Sequence, residues 1–140
     1  MQINAPISTF LNNRKISVST ETDLETIHIL FRQFPKMPFI SVERDGKFSG
    51  VIYRYDYLQT YLFQESNYLT ASDLTTRNII YLSPSNSMEE AAEIFDTEAY
   101  TEIPIVNNHR RLVGVLRKDD LFRVSAPTSI SLQAALRRSQ

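Results

Sequence analysis

The feature that most constrains this chain is that it repeats. Displaced along itself, residues 7–58 lie on residues 71–122 without a gap, and nine of these 52 pairs are identical, among them Phe31/Phe95, Gly50/Gly114 and Asp56/Asp120. Nine identities alone are few, but the apolar positions follow the same rhythm: Leu24/Met88, Leu30/Ile94, Phe39/Ile103, Phe48/Leu112 and Ile52/Leu116. A fold must therefore accommodate two similar units, which restricts the architecture before any single element is assigned. Units of this size rarely bury enough apolar surface alone, so the two are expected to pack through their sheets.

Each unit reads β-α-β-β-α, a mixed α/β fold with pseudo-symmetric halves at 7–65 and 71–125, and a tail at 126–140 that forms an amphipathic helical end or stays loose. In the first half, Lys15–Ser19 alternates as a short strand. Thr22 and Glu25 have capping-box spacing ahead of a helix whose apolar face is Leu24, Ile27, Leu30, Phe31 and Phe34. Strands over Phe39–Val42 and Phe48–Tyr53 flank Asp45-Gly46, a strong hairpin signal because glycine accepts a positive φ. Asp56 opens a second helix with Leu58, Tyr61 and Leu62 on one face. The second half repeats this: a helical turn at Ser72–Thr75 and a strand at Ile79–Leu82 come first. A helix capped by Ser87 and Glu90 follows, burying Met88, Ala91, Ala92 and Phe95. Strands at Ile103–Val106 and Leu112–Leu116 flank an Asn107-Asn108 turn, and a last helix starts at Asp120.

Composition excludes several function classes. Fifteen basic residues stand against sixteen acidic ones, so no global field draws the chain to nucleic acid or to an anionic membrane. The absence of cysteine rules out disulfides and thiolate chemistry and fits a reducing, cytoplasmic setting. No apolar run reaches the length of a membrane span, and the N-terminus lacks the layout of a signal peptide. Neither a nucleophile–base spacing nor a metal cluster nor a glycine-rich phosphate loop is present, so the chain is read as non-enzymatic and without a cofactor. His28 and His109 are isolated and receive no catalytic or metal role.

Two stretches carry a family resemblance: ASDLTTRNIIYLSPSNSMEEAAEIF, then EIPIVNNHRRLVGVLRKDDLF. The second half resembles the cystathionine-β-synthase (CBS) domain over its whole length, and the first looks like a diverged copy. Together they resemble a tandem CBS pair, the Bateman module. The resemblance implies a regulatory module that binds an adenosine-containing ligand such as AMP, ADP, ATP or S-adenosylmethionine. It also implies a homodimer and an attached or partner enzyme, transporter or channel. The family's ribose-binding pattern, Gly-apolar-x-Thr/Ser-x-x-Asp, is kept at Asp56 and Asp120, but the hydroxyl positions hold Tyr53 and Arg117. Arg117 cannot accept a hydrogen bond, yet with Lys118 it can hold phosphate. The adenine positions implied by the family are Leu82 and Ser83 with Glu102 and Ile103 in the second unit. In the first they are Val18 and Ser19 with Phe39 and Ile40. Each acid also has a plain reading as a helix N-cap, and the alternative to a nucleotide sensor is an interaction module with degenerate clefts.

Overall fold

The computed structural model describes residues 4–9, 11, 15–63 and 68–125, with the side chains of 123–125 left aside. The elements in chain order are a 3-10 turn (Ile7–Thr9), β1 (Ser17–Ser19), α1 (Leu24–Gln33), β2 (Phe39–Arg44), β3 (Lys47–Tyr53), α2 (Arg54–Phe63), α3 (Ala71–Leu74), α4 (Met88–Thr97), β4 (Glu102–Val106), β5 (Leu112–Arg117) and α5 (Asp120–Ser125). The fold is mixed α/β, as the repeat implies. The tail at 126–140 lies outside the described residues.

Two compact units result. One comprises Lys15–Ile79 with His109–Leu112; the other comprises Ile80–Asn108 with the described parts of Met1–Arg14 and Val113–Gln140. These units are offset from the sequence repeats at their starts. The 3-10 turn packs Ile7 into the core of Met88, Ala91, Phe95, Ile103, Ile105 and Leu116. Backbone bonds fix it there, from Ile7 N–H to Asn86 O at 2.8 Å and from Met88 N–H to Ala5 O at 3.0 Å. α3 likewise delivers Ala71 to the core of Leu24, Ile27, Phe31, Ile40, Val42, Ile52 and Tyr57. Its amides at Ala71 and Ser72 donate to Thr22 O and Thr20 O at 2.8 and 2.9 Å.

The unit built on Lys15–Ile79 has a three-stranded sheet in which β1 runs parallel to β2 and β2 antiparallel to β3. Arg44 pairs with Lys47 across Asp45 (φ 54°) and Gly46 (φ 76°), the two left-handed residues of the expected hairpin turn. Gly50 is buried because the chain returns against it: a Cβ there would stand 2.4 Å from Thr76 O and 2.6 Å from Thr75 Cγ2. Val51 and Thr76 exchange backbone hydrogen bonds of 3.1 and 2.8 Å at this place. The glycine therefore permits backbone to approach backbone, rather than strand to approach helix.

Several local expectations are corrected. α1 is capped by Asp23, whose carboxylate accepts the Thr26 N–H at 2.9 Å, and not by Thr22 with Glu25. Hydrogen bonds from the Thr26 hydroxyl and amide hold the Asp23 carboxyl below its ordinary pKa. α2 begins at Arg54, so Asp56 is its third residue and not its start. The packed side of α2 is Tyr57 and Tyr61; Leu58 and Leu62 point outward. Tyr57 stacks on Phe31 with centroids 4.4 Å apart, and its hydroxyl meets His28 Nδ1 at 2.8 Å. Tyr61 lies flat on His28 at 3.8 Å. These aromatic contacts fix the rotation of α2 against α1, and burial holds the Tyr57 phenol above its ordinary pKa.

In the other unit, Ser87 caps α4 as expected, its hydroxyl accepting the Glu90 N–H at 3.1 Å. The strand expected at Ile79–Leu82 contracts to a single parallel bridge between Leu82 and Ile105. The turn between β4 and β5 is longer than Asn107-Asn108, and its left-handed residue is Arg110 (φ 62°). Asparagine usually takes that conformation. Here the Arg110 carbonyl accepts the Phe48 N–H at 2.7 Å, which ties its backbone down.

Candidate functional site

The turn between β5 and α5 is the most organised polar feature of the Ile80–Asn108 unit. Asp120 is 7% exposed, and its Oδ2 accepts the Arg117 N–H at 2.8 Å. A carboxylate reaching back three residues is what Asp73 also does to the Thr70 N–H, at 2.9 Å. Asp120 thus braces the turn from inside the helix, and the plain N-cap reading is replaced by this backward reach. Lys118 N–H donates to Thr101 O at 2.8 Å, and the Thr101 hydroxyl donates to the Glu102 carboxylate. These bonds bring Arg117, Lys118 and Asp120 to the end of β4 where Glu102 begins. This turn and the adjoining end of β4 therefore carry two acidic and two basic residues, a set able to accept hydrogen bonds from hydroxyls and to donate to an anion.

The neighbouring backbone is mostly committed. Leu82 donates to Pro104 O at 3.0 Å and accepts from Val106 at 2.8 Å. Ser83 N–H goes to Asn86 Oδ1 at 2.7 Å, and Ser83 O accepts the Asn86 N–H at 3.0 Å. Ile103 is buried in the core. The expected adenine positions at Leu82, Ser83 and Ile103 therefore serve the fold first. Leu82 and Ser83 can offer contact surface and remaining carbonyl lone pairs to a ligand.

The equivalent positions of the first repeat are differently furnished. Phe39 and Tyr53 pair across β2 and β3, and their rings meet edge to face at 6.1 Å and 88°. Val18 is half-buried in β1, opposite Val42. Asp56 is half-buried within the first turn of α2. The side chain that organises this end is Arg54, which the repeat pattern did not single out. Its guanidinium donates to Phe31 O (2.9 Å), Phe34 O (2.6 Å) and Met37 O (3.0 and 2.7 Å). It also lies 4.7 Å from the Phe31 ring centroid. These carbonyls belong to the end of α1 and the loop beyond it, where helix acceptors lack internal partners. Among the described residues no group of three or more His, Cys, Asp or Glu side chains could hold a metal, and no helix is long and apolar enough to cross a membrane.

Comparison with known proteins places these features in a family. Residues 71–127 match the CBS domain. Over 134 residues the chain is 22% identical to a homoserine O-acetyltransferase of Methanohalobium evestigatum, a match covering 88% of this chain and 26% of that protein. The chain thus spans about a quarter of the length of the curated relatives it matches first. Solved structures share the fold, and three illustrate it. A CBS-domain pair crystallised with 5'-methylthioadenosine and S-adenosyl-L-methionine superposes with a TM-score of 0.69 at 18% identity, covering 86% of this chain and 94% of that one. CBSX2 in complex with AMP gives 0.68 at 20% identity, over 96% and 98%. The cytosolic domain of the Mg2+ channel MgtE in complex with ATP gives 0.70 at 19% identity, over 81% and 46%. The second repeat is a CBS domain, and the chain as a whole has the fold of a CBS-domain pair, the Bateman module.

Proposed function

We propose that this chain is a regulatory module that senses an adenosine-containing nucleotide at the turn formed by Arg117, Lys118 and Asp120. The observation that carries the reading is the buried Asp120 carboxylate, oriented by the Arg117 amide in a turn that also carries Lys118. In this reading Asp120 accepts hydrogen bonds from the ribose hydroxyls while Arg117 and Lys118 hold phosphate. Glu102, Ile103, Leu82 and Ser83 line the base. The AMP, ATP and S-adenosyl-L-methionine complexes of proteins with the same fold support the ligand class. The module acts on an attached or partner enzyme, transporter or channel, and is itself non-catalytic. The match to one quarter of an acetyltransferase and to a channel domain supports such an attachment.

Calorimetric titration of AMP and ATP tests this. Asp120→Asn is expected to weaken binding by about tenfold or more, because charge-assisted bonds to the ribose are lost. Asp56→Asn is expected to matter less, because Phe39 and Tyr53 occupy each other at the first repeat's equivalent positions. No binding by the wild type at millimolar ligand would transfer the conclusion to the second reading, an interaction module with degenerate clefts. The Phe39–Tyr53 contact favours that reading for the first repeat alone.

Assembly belongs to the same proposal. Tyr55 (73% exposed), Leu58 (42%), Leu62 (63%) and Phe63 (79%) line the outward side of α2. Phe122 of α5 is also exposed, whereas Tyr57 on the opposite side of α2 is buried. An exposed apolar helix face of this kind suits a two-fold homodimer. Light scattering at tens of micromolar is expected to give the dimer mass, and Leu62→Glu with Phe63→Glu the monomer mass. A monomeric wild type would refute the interface.

A further inference from the structure

Cations gather at the tip of the β2–β3 hairpin. Arg44 and Lys47 flank the Asp45-Gly46 turn and are exposed. The segment His109–Leu112 belongs to the same compact unit and runs beside this hairpin. The Arg110 carbonyl accepts the Phe48 N–H at 2.7 Å. A Cβ placed on Gly46 would lie 3.9 Å from Arg111 Nη2. Lys15 Nζ donates to Leu112 O at 2.8 Å. Four residues with exposed basic side chains, Arg44, Lys47, Arg110 and Arg111, thus lie on one two-residue turn and the segment running beside it. Their acidic neighbours are Asp45 in the turn, the half-buried Glu43 on β2 and the exposed Glu21, which follows β1 beside Glu43, so cations still outnumber acids on a chain whose net charge is −1.

We infer that this ledge binds a compact oligophosphate anion. Three of the four groups are guanidiniums, whose paired N–H donors match phosphate oxygens. The cations surround a tight turn instead of following a helix or a groove, which suits a small multiply charged anion better than an extended acidic peptide. The backbone holding them is fixed before any ligand arrives: Arg110 keeps a left-handed φ of 62° and Lys15 is tied to Leu112. Preorganised donors lose less entropy on binding.

Inorganic triphosphate, titrated calorimetrically into the full chain at low ionic strength, is expected to bind with a submillimolar Kd that weakens as salt is added. The double variant Arg110→Gly/Arg111→Ala is expected to lose about tenfold or more in affinity. Glycine suits the left-handed φ at 110, so the variant's urea midpoint should stay at or above the wild-type value, confirming that the fold is kept. The double variant Arg117→Ala/Lys118→Ala, which removes the cations proposed to hold phosphate at the nucleotide turn, is expected to leave triphosphate binding unchanged, which separates this ledge from that turn. Absence of binding, retention of it by Arg110→Gly/Arg111→Ala, equal binding of sulfate, or loss of it in Arg117→Ala/Lys118→Ala would each overturn the assignment.

Discussion

Adding a single methyl group at Gly50 is expected to lower the unfolding free energy by roughly 3–5 kcal/mol. The new Cβ would stand 2.4 Å from a backbone oxygen, Thr76 O, which cannot swing aside as a side chain can. Thr75–Thr76 must move away, and the paired hydrogen bonds between Val51 and Thr76 are strained or broken. Overpacking of this sort costs about 1–3 kcal/mol, and each backbone bond lost adds about 1 kcal/mol. The melting temperature of Gly50→Ala should fall by roughly 10 °C. Gly46→Ala is the informative contrast. A Cβ there meets only the Arg111 side chain at 3.9 Å, so the cost reduces to the left-handed φ, about 1 kcal/mol. Urea denaturation reads both, as a shift in midpoint at constant slope. Equal losses at the two glycines would show that close approach is not what Gly50 serves.

Arg54→Ala should cost roughly 3 kcal/mol, an effect that its half-exposed position and its charge would not suggest. Four hydrogen bonds from one guanidinium close the carbonyls of Phe31, Phe34 and Met37, and the same group covers the Phe31 ring. Without it the last turn of α1 and the loop leading into β2 face each other with unpaired acceptors. A cation at the end of α1 also meets the negative pole of the helix dipole. Arg54→Lys should recover less than half of the loss, because an ammonium cannot fork toward carbonyls on two sides. Hydrogen exchange is expected to localise the change to the amides between Phe34 and Met37. Full rescue by lysine would reduce the role of Arg54 to charge alone.

The contrast between these residues shows where the sequence was legible. Gly50 stood out because the repeat places Gly114 opposite it, although what presses on it, the return of Thr75–Thr76, is a long-range fact. The Asp45-Gly46 turn and the Ser87 cap were readable because their chemistry is settled within four residues. The helix 54–63 was not, because its sequence offers two apolar rows at helical spacing, Tyr57 with Tyr61 and Leu58 with Leu62. Only the rings of His28 and Phe31 on α1 decide between them. Arg54 was missed for the same reason: a lone arginine reads as surface until its acceptors are known. At the candidate site, Asp120, Arg117 and Lys118 were named from the repeat and the family pattern. The ties that shape their turn, from Asp120 to the Arg117 amide and from Lys118 to Thr101, join atoms whose meeting no spacing rule announces.

The offset between repeats and units bears on how the chain reaches its fold. The core around Ile27 and Phe31 has all its members once Ala71 and Leu74 have been synthesised. The core that takes Ile7 has no other buried member until Met88 and is complete only at Leu121. The N-terminal turn therefore leaves the ribosome early and finds its place late, after the intervening unit can already have condensed. Closure across so much chain slows folding, and in the interval Ile7 is an apolar side chain without a home. The stretch that repeats and the stretch that folds are out of step by one turn, so a fragment cut at the repeat boundary would carry a turn belonging to the other unit and lack its own.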